Sequence, residues 1–123
     1  CKILSKNKEP SYIRLDKSRQ KIIYNKNENF NSNFKLIGRN NEICLVSTGV
    51  MVHKCIQLAQ MLKEKNIFSS VLDLYKLKPI NEKEILNTLK KFKKIIIIDE
   101  NTFSGGISSI ISEIFVKNNF SKQ

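Results

Sequence analysis

Glu42-Ile43-Cys44-Leu45-Val46-Ser47, then Thr48-Gly49, then residues 51–65: this stretch decides the fold. The first six residues form an apolar run of strand length, and Thr48-Gly49 breaks it. Beyond the break the period changes. Val52, Cys55, Ile56, Ala59 and Leu62 fall on one stripe at helical spacing, with Lys54, Gln57, Gln60 and Lys63 off it. Asn66 is placed to end that helix in the left-handed conformation. The stretch predicts a strand feeding an amphipathic helix.

The same grammar repeats downstream. Residues 68–74 read as a strand, and Lys78-Pro79 stops regular pairing. Asn81 opens a second helix with Glu84 three residues on, a variant of the capping box, and Ile85, Leu86 and Leu89 are its buried stripe. Residues 94–98 read as a strand, apolar from Ile95 to Ile98, the composition of a strand covered on both faces. Asp99 and Glu100 follow it. Gly105-Gly106 introduces a last helix with the stripe Ile107, Ile110, Ile111, Ile114 and Phe115. Strand and helix in alternation predict an α/β fold, a three-layer α/β/α arrangement around a mostly parallel sheet with right-handed crossovers. Residues 41–123 carry this pattern. Residues 1–40 do not: they are rich in Asn and Lys, with three short apolar pieces, residues 12–15, 21–24 and 34–37, each a candidate strand. They predict an extended arm or linker. The first residues, from Cys1, lack signal-peptide grammar, so the reading is a piece of a longer chain.

Composition narrows the function classes. In 123 residues the hydrophobic content is 41%, enough for a core without staples. Cys1, Cys44 and Cys55 show no paired spacing, and His53 stands alone, so no metal site is assigned. Cys44 and Cys55 sit at apolar positions and read as reduced core residues, which suits a cytoplasmic protein. No apolar run approaches membrane-spanning length, so no membrane partner is expected. The net charge is +11. The lysines are scattered among asparagines, however, and no nucleic-acid-binding signature accompanies them, so no nucleic-acid partner is expected. Lys90, Lys91, Lys93 and Lys94 cluster near one predicted helix end, where they oppose the negative end of its dipole.

In a parallel sheet of this kind, ligands bind outside the carboxyl ends of the strands. That places Ser47-Thr48-Gly49, residues 75–79 and residues 99–106 on one rim. Thr48 and Gly49 open a helix and are candidates to hold an anion. The structural alternative is that Thr48 caps the helix and Gly49 makes its turn. Asp99 and Glu100 are adjacent and point to opposite faces, so they do not converge as an acid–base pair. His53 has no orienting partner in the sequence, which leaves no triad. No catalytic residue is assigned.

Five motifs in order carry a family resemblance. They are Pro10-Ser11-Tyr12-Ile13-Arg14-Leu15; Ile43 to Val46 with Ser47-Thr48-Gly49-Val50-Met51-Val52-His53; Asp73-Leu74 with Leu77-Lys78-Pro79-Ile80; Ile97-Ile98-Asp99-Glu100; and Gly105-Gly106. Over residues 10–116 the chain resembles the end of a transketolase-like pyrimidine-binding domain running into its carboxy-terminal domain, as in transketolases, deoxyxylulose-phosphate synthases and pyruvate dehydrogenase beta subunits. The resemblance implies a mixed sheet of about five strands. It implies a parent enzyme, a transferase of carbohydrate metabolism, that moves a two-carbon ketol or acyl unit on thiamine diphosphate and Mg2+. Both are held by preceding domains, with no cofactor in this fragment. It implies a homodimer, with the cofactor-binding domains or subunit of the same enzyme as further partners, and a structural, dimerising role here. It also implies that Arg14 and Lys17 lie near a substrate phosphate or carboxylate, the alternative being that Arg14 simply pairs at the domain junction. Many relatives have Gly-Arg where this chain has Asp16-Lys17, so the second cation here lacks the forked guanidinium. The alternative is a stand-alone module that docks a protein partner in a 2-oxo acid dehydrogenase-like assembly.

Overall fold

The computed structural model describes residues 4–6, 8–100 and 104–121. A short 3-10 turn, Leu4–Lys6, precedes the arm. The core elements are β1 (Phe34–Ile37), β2 (Ile43–Ser47), α1 (Met51–Glu64), β3 (Ser69–Leu74), α2 (Glu82–Leu89), β4 (Lys94–Ile97) and α3 (Ile107–Lys117). They build a four-stranded sheet in the order β1-β3-β2-β4. β2 pairs in parallel with both β3 and β4, and β1 pairs antiparallel with β3. Among the described residues the sheet thus has four strands, against the expected five or so.

The crossovers explain the layers. From β2 the chain steps one way to β3, then back across β2 to β4. Right-handed crossovers in opposite directions must lie on opposite faces. α1 accordingly packs on one face, where Val52 and Cys55 meet Leu45 and Val71. α2 and α3 pack on the other, where Ile85, Leu86, Leu89, Ile107, Ile111 and Ile114 meet Cys44, Val46, Leu72 and Leu74. Alternation along β2 sends Cys44 and Val46 one way and Leu45 the other, so this central strand is buried on both faces. Each fully buried Leu or Val there stabilises the fold by about 1.5–3 kcal/mol.

Three expectations change in the structure. Phe34–Ile37 is the edge strand of the sheet, so the sheet reaches back into residues 1–40. Residues 12–15 and 21–24 form no strand. Residues 8–22 are exposed throughout, where water can complete their backbone hydrogen bonds. Finally, β4 is not covered on both faces. It is an edge strand, α1 lies over β2 and β3, and Ile96 is left 44% exposed.

The helix ends follow local chemistry. Asn66 takes φ +59° after α1, with Ile67 N–H on Leu62 O and Asn66 N–H on Lys63 O. That is a Schellman ending. Asn119 ends α3 in the same way. The Asn81 side chain accepts from Glu84 N–H and caps α2.

Candidate functional site at the carboxyl rim

The carboxyl end of β2 is a switch point, because β2 leads to α1 on one face while β3 and β4 lead to α2 and α3 on the other. Thr48 and Gly49 lie there, Thr48 half-buried and Gly49 exposed. Gly49 has φ +58°, so the turn needs its freedom. Thr48 does not cap the helix. The N-cap is Val50, with no side-chain bond. Ser47, next to it, is buried and donates to Ile98 O at 2.8 Å, joining the ends of β2 and β4.

The end of β3 is more elaborate. Asp73 is 7% exposed, on the α1 face, and accepts a 2.7 Å hydrogen bond from the Tyr24 hydroxyl. Burial raises the Asp73 pKa above the ordinary carboxylate range, and the Tyr24 bond and His53 pull it partly back. Burial, then the Asp73 carboxylate, raises the Tyr24 phenol well above its ordinary value. Lys35 lies opposite Asp73 in the sheet register. It ion-pairs with Glu28, and its ammonium sits 5.3 Å from the Tyr24 ring centroid and 5.8 Å from that of Phe30. Tyr24, Phe30 and Tyr75 stack edge to face in series.

Asn33 secures the loop after β3. It is 5% exposed, and its amide donates to Lys76 O at 2.8 Å and Pro79 O at 2.7 Å while its carbonyl accepts from Asn81 N–H at 2.9 Å. The Lys78–Pro79 peptide in that loop is cis. Sequence reasoning missed Tyr24 and Asn33, since their partners lie more than forty residues away and leave no local pattern.

The remaining candidates are dispersed. Asp99 accepts from Ile107 N–H at 2.9 Å and so caps α3, whose N-cap Gly106 has no side chain to do it. Glu100 faces Arg14 at 3.9 Å, an exposed pair of little energetic weight. Lys17 is exposed, beside an Asp16 whose carboxyl is held low by Ser18 and is itself fully exposed. No group of three or more His, Cys, Asp or Glu able to hold a metal ion lies among the described residues. The rim carboxylates are engaged with Tyr24, the α3 amide and Arg14. Burial pushes the Cys44 thiol up to about 12, and it raises Cys55 as well, with Ser47 offsetting part of the rise. Neither thiol is a poised nucleophile. No helix of the described residues is long and apolar enough to cross a membrane.

Comparison with known proteins fits this geometry. A family model described as Transketolase, C-terminal domain, matches residues 33–123. Human transketolase is 29% identical over 109 residues, covering 85% of this chain and 18% of that protein. The 1-deoxy-D-xylulose-5-phosphate synthase of Syntrophus aciditrophicus is 30% identical over 76 residues, covering 62% of this chain and 12% of that protein. The chain therefore spans less than a fifth of the length of these two relatives. A solved structure described as a split gene transketolase, inactive beta4 tetramer, superimposes with a TM-score of 0.71 over 79% of this chain and 33% of that chain at 20% identity, a likeness of fold. With the matched segment beginning one residue before the edge strand β1 and running through α3, the chain belongs to the transketolase C-terminal domain family.

Proposed function

We propose that this chain is the carboxy-terminal domain of a thiamine-diphosphate-dependent, transketolase-like enzyme, and that it stabilises the assembly in which the active site is built. The observation that carries the reading is the family match joined to a rim whose described acidic groups are already committed to internal bonds. Thiamine diphosphate with Mg2+ needs oxygen ligands for the metal and donors for the diphosphate. The described residues offer no such acidic cluster and do not fit that group. The cofactor chemistry belongs to domains or a subunit that meet this one. The unit that docks begins at Asn33, and residues 8–22 run toward the cofactor-binding part. There Arg14 and Lys17 meet a substrate anion, with Thr48 and Gly49 as a second anion contact.

The parent is a transferase working in carbohydrate metabolism in the cytoplasm. The domain pairs with a second copy. Tyr12, Leu15 and Ile22 on the arm and Ile96 on the β4 edge supply apolar surface for such contacts. Sedimentation at high micromolar concentration tests this: a dimer is expected, and a monomer throughout contradicts it.

A further inference from the structure

We infer that residues 14–24 form a strap across the carboxyl end of the central strand β2, anchored by the Tyr24–Asp73 hydrogen bond. Four observations define its path. Tyr24 is tied at 2.7 Å to Asp73, at the end of β3. Ile23 packs on the α1-face cluster of Leu45, Val52, Cys55 and Val71, which Ile98 also joins. Arg14 lies 3.9 Å from Glu100, beyond the end of β4. β3 and β4 flank β2 in the sheet. A chain leaving the end of β3 at Tyr24 and reaching the end of β4 at Arg14 therefore passes the end of β2, where Thr48 and Gly49 sit.

The two ends are unequal. Tyr24 is held by a bond to a buried carboxylate, by the Phe30 ring and by the Lys35 cation. Charge-assisted bonds of this kind are the stronger sort. Arg14–Glu100 is long and exposed, and pairs of that type contribute little. Tyr24 is thus the fixed end of the strap and Arg14 the releasable one. Within the reading proposed above, on which this consequence rests, Tyr24 is a positioning residue. It sets where the arm leaves the domain, and hence where Arg14 and Lys17 are presented.

Paramagnetic relaxation tests the path with no cofactor or activity, so its failure is distinct from failure of the family function. A nitroxide is attached at Leu15→Cys in the 123-residue chain on a Cys1→Ser background; Cys44 and Cys55 are buried. The label is expected to broaden the amide signals of Thr48, Gly49, Val50 and Glu100 and to spare those of Gly38 and Lys63. Adding Tyr24→Phe should weaken the rim broadening several-fold. Adding Asp73→Asn should largely keep it, since the Asn carbonyl still accepts from Tyr24. Rim signals left as sharp as those of Gly38 would overturn the path. Unchanged broadening in Tyr24→Phe would overturn the anchoring role. If Tyr24→Phe unfolds the chain, seen as lost dispersion of the Leu45 and Leu72 amides, Asp73→Ala read by the same label replaces it under the same criterion.

Discussion

The ends of the neighbouring strands β2 and β3 lie on the same rim and are finished in opposite ways. At β3, Asp73, Tyr24, Tyr75 and Asn33 knit the arm, the sheet and the loop to α2 together through buried bonds. At β2, Thr48 and Gly49 lead into a helix with no side-chain cap. The β3 end spends its polar groups on holding the fold together, while at the β2 end α1 starts with no side-chain bond at its N-cap. A rim can thus be rich in polar residues without being a site, since what decides is whether those groups already have partners.

Substitutions should separate the two ends. Asn33→Ala has the largest expected effect. It leaves the amide of Asn81 and the carbonyls of Lys76 and Pro79 without their buried partner. A loss of about 3 kcal/mol is expected in urea denaturation. Tyr24→Phe keeps the ring stack and removes one donor from a buried carboxylate, so it should cost about 1.5–3 kcal/mol. Thr48→Ala should move stability by less than about 0.5 kcal/mol, because Thr48 caps nothing. A cost at Thr48 equal to that at Tyr24 would erase the distinction.

The pH dependence sharpens the contrast. Burial raises the folded pKa of Asp73, so the folded state holds its proton more tightly than the unfolded chain does. Its contribution is therefore fully present below the ordinary aspartate range, about pH 4, and is lost as pH rises through the folded value. Asp73→Asn should flatten that fall above about pH 4. The smallest change is expected at Cys44. With its thiol pushed up to about 12 and its side chain buried, it should resist alkylation in the native chain and react on unfolding.

Much of the fold was legible because it is written locally. The stripe from Val52 to Leu62, the ending at Asn66 and the cap at Asn81 each depend on residues a few positions apart. Position in the sheet was less legible. Four consecutive isoleucines suggested a strand covered twice, but which strand lies under α1 is set by crossover direction, and β4 came to the edge. Residues 12–15 have strand composition yet form no strand, because composition alone does not supply an edge to pair with. The site was the least legible part. Tyr24 meets Asp73 across a separation of 49 residues. Asp99 reaches the start of α3 across eight. Such contacts exist only once the sheet has formed.

Calorimetric titration of thiamine diphosphate with Mg2+ into the 123-residue chain asks whether the domain holds the cofactor by itself. No saturable heat is expected, since the described rim acids are bound internally and form no metal-holding cluster. Saturable micromolar binding to this chain alone would contradict that expectation and place cofactor chemistry inside the domain.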